Sequence, residues 1–286
     1  MALTEDLTFK LGNSGVILNT DSVLSFVDID RVTGLDSAPY RITERDHEGT
    51  DGGFIDAEFE KGRTVLLEGT VYGSTGTIES YLDSLKANYA PSTSLQPFYF
   101  KVPGVNERVL FVKPLGCRYD WETARRLGTT QIQFSVYAED PRIYDSTLIQ
   151  ATITQGAQTF PGFGFDFGFD FGFGGTTSTS DGTTVTNSGN RPSPPTFSMT
   201  GPVTNPEILS DTAGTSLKFI IDLAGSDTLT VDTYYRTVKL NGTANRRGSL
   251  QLPNWFNIFP GENFIRYRAE SAGSSVLTVS FRSAWR

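Results

Sequence analysis

The sequence predicts a mainly β protein, in which a small N-terminal β-barrel or sandwich with one packed helix is followed by a second β-sandwich. Three observations predict this fold class. The 286 residues include 29 glycines, 14 prolines and 21 phenylalanines, a composition typical of strands joined by many turns. Short segments of alternating apolar and polar residues recur in both halves of the chain, whereas helical spacing is clear in one segment only. The length then suits two domains of ordinary size.

Residues 1–145 are predicted to form the first domain. The alternation is clearest near its end, where Ile132, Phe134 and Val136 face one way and Gln131 and Gln133 face the other. The segment APYRITERD, from Ala38, is predicted to continue as a strand or an extended arm. The other predicted strands are LTFKL from Leu7, GVIL from Gly15, LSFVDIDR from Leu24, RTVLLEGTVYG from Arg63 and TTQIQFSVYAED from Thr129.

One helix is predicted in the first domain, in the segment TIESYLDSLKANYAP. Its apolar residues fall at helical spacing, Thr77 can cap its start, and Pro91 follows its end. We expect it to pack across an open end or face of the small barrel. The residues at helical spacing are Ile78, Tyr81, Leu82, Leu85 and Tyr89.

Residues 181–286 are predicted to form the second sandwich, after a Phe/Gly-rich connector at residues 146–180. In the connector, the run FPGFGFDFGFDFGFGG places phenylalanine at every second position from Phe163 to Phe173. Period two puts these rings on one face of an extended chain, so we expect them to be buried along the sandwich or between the domains. A disordered glycine-rich linker is the alternative. The predicted strands of the sandwich are TFSMTG, EILSD, SLKFIIDL, DTLTVD, RTVKLNG, NFIRYRAE and VLTVSFRS.

Charge and composition exclude several classes of function. Residues 1–145 hold 14 basic and 22 acidic residues, a net charge of −8, which disfavours a grip on nucleic acid. The single histidine, His47, and the single cysteine, Cys117, are too few for a zinc site or a disulfide. The two DFG triplets lack the other kinase motifs. We therefore expect no catalytic residues, no cofactor and no metal, and Cys117 is expected to be buried and reduced. The chain shows neither a signal peptide nor a membrane span, so no membrane partner is expected.

The segment DHEGTDGGFIDAEFEKGRTVLLEGTVYG, from Asp46 to Gly73, resembles the N-terminal domain of phage distal tail proteins of long, non-contractile tails. YAEDPRIYD, from Tyr137, is similar to the segment that closes that domain. SDTLTVDTYYRTVKLNGTANR and WFNIFPGENFIRYRAE, followed by LTVSFRSAW, resemble the galectin-like sandwich of the same family. The resemblance covers nearly the whole chain except the connector.

The resemblance implies a structural virion protein at the tail tip, made and assembled in the cytoplasm of the bacterial host. Such proteins form a homo-oligomer, a hexameric ring that joins the tail tube protein to the tail tip proteins and passes phage DNA without specific binding. No catalytic residues carry over. A turn at Asp51, Gly52, Gly53 and Phe54, together with Arg63, is predicted to contact neighbouring subunits. The Phe54 side chain is expected to anchor either in a neighbour or in the core of its own domain. The acidic residues Asp56, Glu58 and Glu60 are predicted to line or border the channel.

Other functions stay open from the sequence. A glycan- or receptor-binding tail component acting through the second sandwich would use Tyr234, Tyr235 and Trp255, although tryptophan in a sandwich is more often a core residue. A tail-associated hydrolase would need a nucleophilic residue together with the residues that activate it, and the sequence shows no such set. A tail tube protein fits less well than a distal tail protein, which forms the hub of the tail tip. The outer sandwich and the DGGF segment both favour the distal tail protein.

Overall fold

The structure is a computed structural model that describes residues 2–20, 26–155, 158–159, 177–178, 182–270 and 274–286. The chain divides into two compact units. The first contains Met1–Ser146 together with Arg286, and the second contains Thr147–Trp285. The mainly β class predicted from the sequence is confirmed.

The first unit contains ten strands and two helices within its described residues. In chain order they are β1 (Thr8–Leu11), β2 (Ile17–Leu18), β3 (Val27–Thr33), β4 (Tyr40–Asp46), β5 (Gly53–Glu60), β6 (Arg63–Tyr72), α1 (Ile78–Asn88), β7 (Gln96–Lys101), β8 (Arg108–Tyr119), α2 (Trp121–Leu127), β9 (Thr129–Ala138) and β10 (Ile143–Asp145).

The main sheet of the first unit runs in the order β2-β1-β7-β8-β9-β6-β3, with antiparallel neighbours. Within the described residues its strand pairing does not close into a barrel, so that part of the prediction is wrong. The two edge strands, β2 and β3, approach each other at one point, where Asn19 N donates a backbone hydrogen bond of 3.0 Å to Val27 O. This single bond does not make β2 and β3 a paired ladder. One face is apolar because alternate residues of β6 and β9, such as Leu67 and Phe134, are fully buried there.

Two helices lie on the first unit where the sequence predicted one. Helix α1 buries Ile78, Leu82 and Leu85, as the spacing indicated. Thr77 is its N-cap residue, but the Thr77 hydroxyl accepts from Ser74 N instead of from a helix amide. The additional helix, α2, has only seven residues, too few for a periodic apolar face.

The second unit contains sixteen strands within its described residues. They are β11 (Ile149–Thr154), β12 (Gln158–Thr159), β13 (Thr177–Ser178), β14 (Gly182–Asn187), β15 (Thr196–Thr200), β16 (Val203–Thr204), β17 (Glu207–Ser210), β18 (Thr215–Phe219), β19 (Asp222–Leu223), β20 (Thr228–Asp232), β21 (Thr237–Leu240), β22 (Ala244–Asn245), β23 (Leu250–Pro253), β24 (Gly261–Arg268), β25 (Val276–Phe281) and β26 (Ala284–Trp285).

Two antiparallel sheets of the second unit enclose one hydrophobic core. One sheet has the order β11-β25-β15-β20-β21-β22 and the other β14-β24-β17-β18-β23. Phe197, Val231 and Val279 from the first sheet and Leu217 and Tyr267 from the second are all fully buried in the same cluster. Because each strand alternates buried and exposed residues, the predicted sandwich is present.

The range predicted as a connector contains strands of the second unit. β11 pairs with β25 along its whole length, from Ile149 opposite Phe281 to Thr154 opposite Val276. β12 pairs with β13, so that Thr159 lies opposite Thr177. The predicted strap or linker from Phe163 to Phe173 lies outside the described residues.

Candidate assembly site

The β4–β5 hairpin is the most exposed regular element of the first unit. Its two strands pair only with each other, and every residue of β4 is exposed. It carries large apolar side chains that are 39–64% exposed, namely Tyr40, Ile42, Phe54, Ile55 and Phe59. An isolated hairpin is marginal in water, and exposed apolar residues at this density mark a protein-binding surface. The segment predicted as an arm is therefore a candidate assembly site.

A β-bulge divides the hairpin. Thr43 pairs with Ala57, whereas the next residue, Glu44, pairs with Ile55. Asp56 is therefore the extra residue on β5. Because successive residues point to opposite faces, the bulge decides which residues of β5 share a face with those of β4.

The two faces of the hairpin differ in charge. We call one the acidic face, and it carries Tyr40, Ile42 and Glu44 on β4 with Ile55, Glu58 and Glu60 on β5. We call the other the aromatic face, and it carries Arg41, Thr43 and Arg45 with Phe54, Ala57 and Phe59. Phenylalanine and arginine are enriched in interfaces and glutamate is depleted, so the aromatic face has the composition of an interface core.

Charged groups on the aromatic face are paired with neighbours. Arg45 Nε lies 2.7 Å from Asp56 Oδ2, and Arg45 Nη2 lies 2.7 Å from Asp56 Oδ1, a bidentate pair. Hydrogen bonding to this carboxylate raises the pKa of Arg45 above its ordinary value. The Arg41 guanidinium lies 5.4 Å from the centre of the Phe59 ring. These contacts orient the side chains although they are exposed to solvent.

The loop that joins the two strands holds the predicted DGGF turn. His47 N donates to Gly52 O at 3.0 Å, and the His47 ring centre lies 3.9 Å from that of Phe54. Gly52 has a φ of +103°, which residues with a Cβ resist. Gly53 and Phe54 lie in β5, and the Phe54 side chain is 59% exposed. Phe54 therefore does not anchor in the core of its own unit.

Arg63, predicted as a subunit contact, is fully buried inside the first unit. Its Nη1 donates to Leu35 O at 3.2 Å. In this conformation it offers no surface to a second subunit. Arg63 begins β6 soon after β5 ends and donates a hydrogen bond to the loop before β4, so it holds the two ends of the hairpin base together.

The three predicted channel residues lie on β5 but differ in their surroundings. Asp56 is neutralised by Arg45. Glu60 has a side chain that is only 6% exposed and lies 2.9 Å from Arg286 Nε. Glu58 is exposed, so among the three it presents the most accessible carboxylate.

The predicted ligand residues of the second unit are not equivalent. Tyr234 and Tyr235 are 39% and 55% exposed, and their rings meet edge to face with centres 4.9 Å apart. They lie in the turn between β20 and β21. Trp255 is half-buried and packs against the sandwich core, with Arg247 5.9 Å from its ring. The tyrosine pair therefore presents more accessible ring surface than Trp255.

Four exposed apolar residues of the hairpin were not selected from the sequence, namely Tyr40, Ile42, Ile55 and Phe59. Their signal was available, since both flanks of the DGGF turn contain apolar residues among many charges. Within the described residues, no cluster of three or more potential metal-ligating side chains occurs. None of the described helices has the length and hydropathy needed to cross a membrane.

One family of known proteins matches the sequence of the second unit. Residues 188–285 match the family model described as siphovirus-type tail component, C-terminal domain. The second unit is thus similar to the C-terminal domain of siphovirus-type tail components. The resemblance to this family that was predicted from the sequence is thereby confirmed.

Solved structures extend the likeness in fold to the whole chain. The crystal structure of SPP1 Dit (gp 19.1), described as a paradigm of the hub adsorption apparatus in phages that infect Gram-positive bacteria, has a TM-score of 0.63 at 15% identity. The match covers 96% of this chain and 98% of that one. The activated baseplate of phage P2 with Ca gives 0.50 at 9% identity, with the same coverage. No curated protein sequence matches the chain significantly. At 15% and 9% identity, these likenesses show a shared fold.

Proposed function

We propose that the protein is a structural subunit of the distal tail hub, which forms a ring between the tail tube and the tail tip proteins and lets phage DNA pass. The tail component domain at residues 188–285 carries this proposal. The SPP1 Dit fold across both units supports it. The protein acts by assembly and not by catalysis, and the ring has six copies as in the family it resembles.

The hairpin is the arm that joins neighbouring copies. Its two strands contain 7 and 8 residues and project from the first unit without a partner sheet. Stable interfaces bury about 800 Å² per partner, from roughly 20–30 residues. An arm of this size therefore supplies a large part of one subunit contact, with the Arg- and Phe-rich aromatic face at its centre.

The single test of this function is the removal of the chain from the virus. Phage that lack it should accumulate tails that are incomplete at the tip and should not infect, because nothing joins the tube to the tip proteins. Electron microscopy of the particles and a plaque count measure this, and expression of the chain in the host should restore both. Complete, infectious tails without the chain would contradict the proposal.

Glu58 is the channel residue on which the lumen proposal depends. A negative wall repels DNA phosphates and prevents sticking, so Glu58→Lys should slow DNA ejection while tails remain complete. Release of DNA followed with an intercalating dye measures the rate. Asp83→Lys on α1, which changes the charge equally at a 73% exposed side chain, is the control and should eject normally. Equal rates for the two variants would remove Glu58 from the lumen.

A second candidate function is recognition of a host glycan or receptor by the second unit. The exposed edge-to-face pair of Tyr234 and Tyr235 favours it, because exposed aromatic rings stack on sugars and anchor interfaces. Binding of the purified chain to a glycan array would support this function, and it is compatible with a place in the hub.

A further inference from the structure

The β4–β5 hairpin is joined to the main sheet by a short connection. β5 ends at Glu60 and β6 begins at Arg63, so only Lys61 and Gly62 lie between them. Lys61 N donates a backbone hydrogen bond of 2.7 Å to Pro39 O, which closes the base of the hairpin. Within the described residues, β4 and β5 pair only with each other. Strand pairing therefore does not fix the angle at which the hairpin leaves the first unit.

The length of the hairpin makes the position of its tip sensitive to this angle. The 7 residues of β4 span roughly 20 Å at about 3.3 Å per residue. A small rotation at the base therefore displaces the tip by several ångströms. A defined direction of the hairpin requires a contact at its base in addition to the ladder.

One guanidinium contacts both strands at this base. Tyr40 begins β4 and Glu60 ends β5, and these two residues are a cross-strand pair. Arg286, which belongs to the first unit, has its Nε 2.9 Å from Glu60 Oε1, and its Nη2 donates a hydrogen bond to the Tyr40 hydroxyl. The guanidinium also lies 5.4 Å from the centre of the Tyr40 ring. A single side chain thus connects the first residue of one strand to the last residue of the other.

The chemistry of this contact suits arginine. Its planar guanidinium carries several donors in a fixed geometry, so it can bind two groups at once. The Glu60 side chain is only 6% exposed, whereas the Arg286 side chain is 60% exposed. A carboxylate withdrawn from water gains from a charged donor. The Tyr40 hydroxyl and the Glu60 carboxylate together raise the pKa of Arg286 above its ordinary value.

The contact lies on one face of the hairpin. Tyr40 and Glu60 are both on the acidic face. The contacts described above for the aromatic face, Arg45 with Asp56 and Arg41 with Phe59, lie within the hairpin and do not tie it to another element. Arg286 therefore resists rotation of the hairpin away from the side on which it binds.

We propose that Arg286 acts as a latch, formed with Tyr40 and Glu60, that holds the β4–β5 hairpin in one direction relative to the rest of the first unit. Without the latch, the hairpin rotates about the connections at its base. The latch is a property of the single chain and does not depend on the proposed ring. It reduces the conformational entropy that the hairpin loses when it binds a partner.

Pulsed electron paramagnetic resonance of the purified full chain tests this inference. Spin labels at Thr50→Cys in the hairpin loop and at Ala87→Cys on α1, both exposed positions, are introduced in a Cys117→Ser background. Dilution with an excess of unlabelled chain restricts the measurement to distances within one copy. We expect a single narrow distance distribution with Arg286 present, and a distribution that is several-fold broader for Arg286→Ala.

Arg125→Ala is the matched control. The Arg125 side chain is 57% exposed, its Nε lies 4.0 Å from Glu79 Oε1, and its guanidinium lies 4.7 Å from the centre of the Trp121 ring. It resembles Arg286 in exposure and contacts but lies on α2, so its loss should leave the distribution narrow. Equal broadening in the two alanine variants would contradict the latch.

Arg286→Lys tests whether contact with both strands matters. Lysine keeps the positive charge but lacks the planar fork, so its distribution should also broaden. A narrow distribution for Arg286→Ala, or a broad one with Arg286 present, would overturn the latch. A lysine variant as narrow as the native chain would overturn the contact with both strands as its basis. None of these outcomes depends on assembly, so each leaves the proposed ring function to its own test.

Discussion

Replacing both apolar residues of the hairpin tip, Phe54→Asp with Ile55→Asp, should leave the protein folded but almost unable to assemble into tails. Both side chains are more than half exposed, so the change costs the isolated chain little. In an assembled ring it would place two carboxylates in an apolar contact. Central contacts of an interface contribute about 2 kcal/mol or more each, so assembly should fall on the order of 100-fold or more.

The measurement is the amount of chain in purified tails relative to the amount expressed, together with the plaque count. Circular dichroism and thermal unfolding show whether the variant is folded. Ile220→Asp, at a residue of the second unit with comparable exposure of 58%, is the matched control and should incorporate normally. Normal incorporation of the tip variant would show that the arm does not join the subunits.

The largest effect on stability should come from Phe197→Ala in the sandwich core. Phe197 is fully buried, and its ring centre lies 5.5 Å from that of Phe256. Removing such a ring leaves a cavity between two sheets that cannot close fully, and the change typically costs about 3–5 kcal/mol. The unfolding midpoint of the second unit should fall by roughly 10 °C.

Scanning calorimetry of the purified chain measures this shift. Phe264→Ala is the matched control, because the same side chain is lost from a residue that is 37% exposed on β24 of the same unit. Its midpoint should change by no more than a few degrees. Similar shifts for the two variants would mean that the sandwich core is not the main source of stability in this unit.

The sequence predicted best those strands that are buried on one face. From Gln131 to Ala138 in β9, the predicted side-chain alternation matches the observed burial residue by residue, because burial on one face is what imposes that alternation. Helix α2 was missed because seven residues show no period. Its signals were the caps, since Asp120 accepts hydrogen bonds from the amides of Glu122 and Thr123, and Gly128 ends the helix with a φ of +69°.

The candidate site was predicted as a segment but not in its geometry. The sequence located an arm around the DGGF turn, yet both faces of the hairpin are exposed, so no alternation by burial marks its strands. The bulge at Asp56 then moves Ile55 to the acidic face and Phe54 to the aromatic face. The burial of Arg63 could not be predicted, because a buried arginine that bonds to a backbone oxygen looks the same in sequence as an exposed one.

The pairing of β12 with β13 has a practical consequence for engineering. Thr159 and Thr177 are cross-strand neighbours, so the two residues that flank the intervening segment are held side by side. The entropy needed to join two such fixed ends grows only with the logarithm of the intervening length, by about 0.6 kcal/mol per doubling. A reporter peptide, an affinity tag or a longer loop inserted between these two threonines should therefore reduce the stability of the sandwich very little. This position is suitable for attaching a foreign segment to the protein.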